Sequence, residues 1–234
     1  MSPSPVICVD GPGGTGKGTL CSFLARRLGW HLLDSGALYR ALAWSALLHD
    51  VNLDDGDALA GLAAVMTVHF QPLDTPEGYR VVQDGTEIGD EIRTERCGSA
   101  ASRLATLPAV RTALLAVQRG YCRPPGLVAD GRDMGTVVFP DAQLKLFLTA
   151  SLEERAKRRY KQLKEKGISV NLPRLSADIA ERDTRDQERT ASPMRSAPDA
   201  IVVDTTALDA EQVTRNVWRL VREKFPGTPE ASRC

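Results

Sequence analysis

The sequence lacks most of the features that mark easily recognised classes of protein. It has no net charge, because 30 lysines and arginines balance 30 aspartates and glutamates. No global field therefore draws in nucleic acid or an anionic membrane, and any anion binding must come from local clusters. No apolar run approaches the ~18 residues of a membrane span. The opening Met1-Ser2-Pro3-Ser4-Pro5 has no basic region and leads straight into an apolar segment, so no secretory signal is expected. The five cysteines (Cys8, Cys21, Cys97, Cys122, Cys234) are odd in number and nowhere spaced as a metal knuckle. Cys8 and Cys21 lie inside apolar patterns, where cysteine acts as a small hydrophobe. Unpaired cysteines point to a reducing cytoplasm. No internal repeat or low-complexity tract stands out. What is present is 234 residues, 42% hydrophobic and 26% charged, which suits one globular domain with or without inserted lobes.

Short apolar runs alternate with helical patterns. Val6-Ile7-Cys8-Val9-Asp10 reads as a strand buried on both faces. A glycine-rich loop follows, then a helix through Leu20, Phe23, Leu24, Ala25 and Leu28. Trp30–Asp34 reads as a second strand, with a helix through Leu38, Leu42 and Leu47 behind it. Leu127–Asp130, Leu144–Leu148 and Ile201–Asp204 are further buried-strand candidates. This alternation predicts a parallel sheet covered by helices on both faces. Ser151 with Glu154, and Asp209 with Gln212, have capping-box spacing at helix starts. Two stretches break the rhythm. Around residues 67–92, Tyr79–Gln83 alternates and Asp84-Gly85 signals a hairpin turn. Around residues 152–190, a charged pair of helical segments breaks near Gly167–Pro173.

Between the first strand and first helix lies Gly11-Pro12-Gly13-Gly14-Thr15-Gly16-Lys17-Gly18-Thr19. Such glycines let backbone N–H groups turn inward around phosphate oxygens, and the helix N-terminus adds its positive end. Lys17 supplies a point charge for β- and γ-phosphates. Gly11, Gly13 and Gly16 also match the dinucleotide fingerprint, with Asp34 at a plausible distance for a ribose contact. A Rossmann oxidoreductase using NAD is therefore a rival. The continuation Gly16-Lys17-Gly18-Thr19 favours a triphosphate, because a dinucleotide pyrophosphate needs no lysine there. Gly18 stands where a Mg²⁺-binding hydroxyl is usual. Thr19 is then expected on a phosphate, with Mg²⁺ held by phosphate oxygens and water and no dedicated protein metal site. Asp130, ending an apolar strand, is either a Walker-B-like carboxylate that orients that water or an ordinary Asp-Gly turn residue.

Arginines supply candidates for the acceptor side. Arg182, Arg185, Asp186 and Arg189 share one helical stripe, and Arg155, Arg158 and Arg159 form a second cluster. Taken alone they read as solvated helices laced with pairs such as Arg182–Asp186. Between residues 153 and 189 there are eleven basic and eight acidic residues, a balance that suits a mobile lid over phosphates better than a nucleic-acid tail. Arg158 is the cluster member expected on the triphosphate. Asp34-Ser35-Gly36-Ala37-Leu38-Tyr39-Arg40 opens a helix at the sheet edge where ligands of open α/β folds bind. Arg40 there either clamps an acceptor phosphate or is a surface charge. Gly131-Arg132-Asp133-Met134-Gly135 puts another arginine and carboxylate on the same edge.

Together, the phosphate loop, Leu32-Leu33-Asp34-Ser35-Gly36…Tyr39-Arg40, the run from Asp130 to Pro140 (Asp-Gly-Arg-Asp-Met-Gly-Thr-Val-Val-Phe-Pro) and Glu181-Arg182-Asp183…Arg185-Asp186 strongly resemble bacterial cytidylate kinase. The resemblance spans roughly residues 6–225, and the Asp130–Pro140 run is its most specific part. It implies an α/β P-loop NTPase fold, a three-layer sandwich with a parallel central sheet, a small antiparallel insert lobe and a helical lid. It implies ATP-dependent phosphorylation of CMP and dCMP, with Mg²⁺. Cytosine-reading positions fall on Ser35, Ser102, Arg111 and Asp133. Acceptor-phosphate arginines fall on Arg40, Arg132 and Arg189, and sugar contacts on Arg182 and Asp186. The catalytic set is Lys17, Arg132, Arg189 and Asp130. The expected plan is one kinase domain: a core over about 5–66, 93–151 and 191–225, an insert at 67–92, a lid at 152–190 and a disordered tail at 226–234. A cytoplasmic monomer acting on nucleotides is expected, without nucleic-acid or membrane partners. A UMP or AMP kinase, and a P-loop switch that ignores CMP, remain as alternatives beside the oxidoreductase.

Overall fold

The computed structural model describes residues 4–73, 78–165, 167–189 and 192–227. The expected tail beyond residue 227, the first three residues, and parts of the expected insert and lid lie outside them. In chain order the elements are β1 (Val6–Asp10), α1 (Lys17–Leu28), β2 (His31–Asp34), α2 (Ser35–Leu48), α3 (Gly56–Val65), β3 (Val68–Pro72), β4 (Tyr79–Gln83), β5 (Thr86–Glu87), α4 (Glu95–Leu104), α5 (Pro108–Arg119), β6 (Leu127–Asp130), β7 (Leu144–Thr149), α6 (Leu152–Glu165), α7 (Leu172–Glu188), β8 (Ile201–Asp204) and α8 (Ala210–Lys224). A 3-10 turn at Glu91–Arg93 precedes α4, and a π-helical turn at Met134–Val138 follows β6. The parallel strands run in the order β2-β6-β1-β7-β8, as the βαβ rhythm predicts.

The chain clusters into two compact units, one of the described residues up to Val6 with those of Cys21–Gly131, the other of Ile7–Leu20 and the described residues from Arg132 onward. In the first unit β2 pairs parallel with β6, Asp34 standing opposite Asp130. The Leu127 N–H donates to Pro5 O at 2.9 Å, leading the chain into β1. The antiparallel ribbon β3-β4-β5 also belongs here. Its β4–β5 turn puts both Asp84 and Gly85 at positive φ, which Asp-Gly tolerates and the twist of a hairpin favours. Tyr79 and Tyr121 each pack against Phe70, with ring centroids 5.7 Å from it. Ser22 and Ser45 tie the ribbon to α1 and α2 by accepting from Gln83 Nε2 at Ser45 Oγ and donating to Gly78 O from Ser22 Oγ.

In the second unit β1 pairs parallel with β7, and β7 with β8. β1 is buried along its whole length, so its near-continuous apolar run reflects burial on both faces. β8 differs from the sequence expectation of a buried strand. Ile201 is 41% exposed and Val202 58%, because β8 ends the sheet and has a strand on one side only. The Asp209–Gln212 capping box forms in full at α8. The Ser151–Glu154 box forms only by half. Ser151 Oγ accepts from the Glu154 N–H, but the Glu154 carboxylate pairs with Arg158 instead of turning back, and the Ser151 N–H donates to Thr206 Oγ1. Pro173 lies in the first turn of α7, capped by Asn171, rather than in the break between α6 and α7. No single helix among the described residues is long and apolar enough to cross a membrane.

The join between β1 and the loop after it admits only glycine. Gly11 has φ +136, and a β-carbon there would stand 2.0 Å from Leu148 O on β7. Gly11→Ala therefore combines a forbidden dihedral with a backbone clash. Chemical denaturation should show a loss on the order of 3 kcal/mol or more.

Candidate active site

The second unit assembles the phosphate loop and a cluster of buried charges. Gly14 at φ +83 and Gly16 at φ +90 give the loop its turns, and nothing crowds Gly16. Thr15 Oγ1 donates to Pro12 O at 3.1 Å. Lys17 opens α1, and its Nζ donates to Pro12 O at 2.9 Å. It is only 6% exposed, more buried than a loop lysine read from sequence would be. Gly18 and Thr19 continue the first turn of α1, with Thr19 facing solvent. Thr205 Oγ1 lies 3.1 Å from both Thr15 O and Thr149 O, bracing the back of the loop.

Arg132 and Arg189 meet on one carboxylate. Arg132 Nε donates to Asp186 Oδ2 at 3.0 Å, and Arg189 pairs with Asp186 Oδ1. Asp186 is 3% exposed. Burial pushes its carboxyl upward, but Arg132, Arg189 and Arg182 outweigh that and hold it below the usual carboxylate range. Asp186, expected as a sugar contact, is thus first the anchor of two arginines, and removing it would leave two cations without this anion.

Arg158 does not reach the loop. Its Nε donates to Glu154, and its terminal nitrogens go to Thr205 Oγ1, Thr205 O and Leu208 O. Most of its donors are spent on the segment after β8, which it holds against α6. Arg155, one turn earlier, is the member that touches the loop. It donates to Gly13 O at 3.2 Å and to Ala150 O at 3.1 Å, and its NH2 pairs with Asp183 Oδ2 at 2.6 Å. The i, i+3 spacing showed the cluster but not which member turned inward.

Asp10 was legible only as the end of a strand. It is 4% exposed and accepts from the Met134 N–H and the Gly135 N–H, each at 2.8 Å. Burial, with a smaller push from Asp133, raises its carboxyl to about 6 against those two hydrogen bonds and Lys17. A carboxylate closing an otherwise apolar buried run was the signal for it. Holding it ionised at neutral pH costs roughly 3 kcal/mol, at about 1.4 kcal/mol for each tenfold change in proton affinity.

The first unit places the remaining candidates. Asp34 caps α2, accepting from the Ala37 N–H at 2.8 Å, and also accepts from Tyr79 Oη. Burial first, then Asp34 and Asp130, push the Tyr79 hydroxyl well up, so it remains a donor. Both oxygens of Asp34 thus serve the fold, capping α2 and tying it to β4. Ser35 begins α2 and is buried, as are Ser102 on α4 and Asp130 at the end of β6. Arg40 NH1 donates to Ile92 O at 2.8 Å and Thr94 O at 3.4 Å. A β-carbon on Gly98 would come within 2.8 Å of its guanidinium. Arg111 NH1 donates to Ala105 O at 3.3 Å.

A parallel sheet with a glycine loop and lysine at the start of its first helix defines a P-loop nucleotide-binding α/β protein. The Thermus thermophilus protein TT1252 has a similar fold, with a TM-score of 0.50 and 18% identity over 96% of this chain and 99% of that one. The family model for cytidylate kinase matches residues 7–223, and the chain belongs to that family of nucleoside monophosphate kinases. The cytidylate kinase of Aeromonas salmonicida is 56% identical over 95% of this chain and 96% of its own length. That of Pseudomonas aeruginosa strain LESB58 is 55% identical over 92% and 94%.

The two buried carboxylates respond oppositely to acid. Asp186, with a depressed folded value, contributes stability that is present above 3.8 and lost as pH falls further. Asp10, raised from 3.8 to about 6, binds its proton in the folded state first, so stability rises as pH falls between those values. Relative to Asp10→Asn, the wild type should gain ~1–2 kcal/mol in urea unfolding between about pH 7 and pH 4.5.

Proposed function

We propose that the protein transfers the γ-phosphoryl group of ATP to CMP and dCMP, giving the corresponding diphosphates. The observation that carries this is the pairing of Arg132 and Arg189 on buried Asp186 within the unit that bears the phosphate loop. Phosphoryl transfer needs positioning and charge stabilisation rather than covalent chemistry, and a lysine loop with pre-ordered arginines supplies both. Loop N–H groups and Lys17 hold the triphosphate. Arg40, Arg132 and Arg189 take the acceptor phosphate, and Ser35, Ser102, Arg111 and Asp133 read cytosine. Each oxygen of Asp186 retains a second acceptor position, so it can take a sugar hydroxyl beside Arg182 while holding both arginines.

Among the described residues no group of three or more His, Cys, Asp or Glu could hold a metal ion. Mg²⁺ is placed on phosphate oxygens and water, with Asp130 orienting one water. The ion would neutralise charge on the phosphates. The α6–α7 pair acts as a lid that excludes water from the transfer. The enzyme works as a cytoplasmic monomer with nucleotides as its partners.

The decisive measurement is kcat/KM for CMP, dCMP, UMP and AMP at saturating Mg-ATP. Cytosine offers an amino donor and an N3 acceptor, whereas uracil reverses both. Asp133 and Ser35 accept from the amino group and Arg111 donates toward the ring. A site built for one hydrogen-bond pattern discriminates by up to roughly 10⁴-fold. CMP should be strongly preferred to UMP, and Asp133→Ala should narrow the gap mainly by harming CMP. Equal use of UMP by the wild type would remove the cytidylate assignment and leave the kinase.

Lys17→Ala should fold, since the side chain lies in a glycine loop rather than in the apolar core, although its contacts with the Pro12 carbonyl and the Asp10 charge are lost. Its kcat should fall at least ~10²-fold, the scale for removing one preorganised charge stabiliser. Near-normal turnover in the folded variant would contradict the role given to the loop.

A further inference from the structure

We infer that Asp10 is a positioning residue for the acceptor side, holding Arg132 and Asp133 in place through the backbone of the turn that carries them. The inference rests on the acceptor roles proposed for those two residues. Asp10 ends β1, directly before the glycine loop, and is itself buried. Its Oδ1 accepts from the Met134 N–H and its Oδ2 from the Gly135 N–H, both at 2.8 Å. The Met134 N–H belongs to the peptide that leaves Asp133, so the carboxylate fixes that peptide plane directly.

Asp133 needs such a hold. Its φ of −141° and ψ of 21° belong to no regular element, and its side chain caps nothing in the π-turn that follows. Its carbonyl accepts from Val137 N at 2.9 Å and Val138 N at 3.2 Å, which restrains the turn from below while Asp10 restrains it from above. Gly135 makes the approach possible. A β-carbon there would lie 3.1 Å from Lys145 Cδ, 3.2 Å from Lys145 Cγ and 3.4 Å from Asp10 Oδ2. Lys145 cannot swing aside freely, because its Nζ donates to Pro140 O and pairs with Asp199.

The charged groups facing Asp10 are Lys17 from α1 and Asp133 from the turn, and the Lys145 stem on β7 lies against Gly135 with its ammonium turned to Pro140 O and Asp199. The ionised carboxylate accepts both N–H groups, whereas protonation turns one oxygen into a donor and weakens the grip. Burial raises the Asp10 carboxyl to about 6, so the grip should loosen with mild acid.

The experiment measures KM for donor and acceptor separately in Asp10→Ala, Asp10→Asn and Gly135→Ala, with circular dichroism to confirm folding. In Asp10→Ala the acceptor KM should rise at least about tenfold while the ATP KM moves less than about threefold, and the CMP-to-UMP preference should shrink. Gly135→Ala, which presses on the same contact from the other side, should show the same split, and it decides the matter if Asp10→Ala does not fold. The wild-type advantage over Asp10→Asn in kcat/KM for CMP should be about tenfold near pH 8 and approach one near pH 5, the acceptor phosphate's own titration cancelling in the comparison. Donor and acceptor KM rising together, a raised ATP KM alone, or a pH-independent advantage would each overturn the inference. If the wild type fails to prefer CMP, the acceptor assignment fails instead, and the KM split with whichever acceptor it uses still tests Asp10.

Discussion

Asp186 carries both Arg132 and Arg189 on its two oxygens while almost wholly out of water, and the unit that contains the glycine loop is organised around that arrangement. Two guanidinium groups placed together would repel each other and strongly prefer solvent. One buried carboxylate lets them stand side by side, each directed by a charge-assisted hydrogen bond rather than by a loose field. It also joins the Gly131–Gly135 segment to the end of α7, because Arg132 belongs to one and Arg189 to the other. Arg155 extends the same logic, linking Gly13 of the phosphate loop to Asp183 on α7. Loop, turn and helix therefore share a charge network in which the cations are held in place by their carboxylates.

Asp10 and Asp186 show how environment divides two identical side chains. Three arginines outweigh desolvation at Asp186 and keep it ionised to low pH. At Asp10, two backbone N–H groups and Lys17 do not overcome burial, and its carboxyl rises to about 6. An acid left ionised at a cost to stability is more often found at a working site than in a passive core. Asp34 had the right place in sequence to bind a ribose, yet it caps α2 and accepts from Tyr79, so its oxygens serve the fold.

Local chemistry was readable in the chain because it depends on neighbours a few residues apart. The Asp209–Gln212 cap, the Asp84-Gly85 turn and the apolar runs of β1, β6 and β7 follow from dihedral preference and periodicity, and the structure forms each of them. The loop from Gly11 to Thr19 was likewise legible, since phosphate binding at a helix N-terminus needs glycines and a lysine in a fixed order. β8 was misjudged because an apolar run does not reveal whether a strand lies inside a sheet or at its edge. Glu154 was misjudged because Arg158, one turn on, competed for the same carboxylate.

Sequence alone determined the class of fold, the phosphate loop and, through the Asp130–Pro140 run, the family to which the chain belongs. These are written in short stretches, where residue type and spacing suffice. Only the tertiary structure decided which charges meet. Asp10 lies 124 residues before Met134 and Arg132 lies 54 before Asp186, and nothing in the spacing of either pair predicts the contact. It decided too that Arg155 and not Arg158 reaches the loop, since both lie on one helix and only packing selects the buried one. Hydrogen bonds and ion pairs act over a few ångströms in space, whatever their separation along the chain. Their partners are therefore settled by how strands and helices pack.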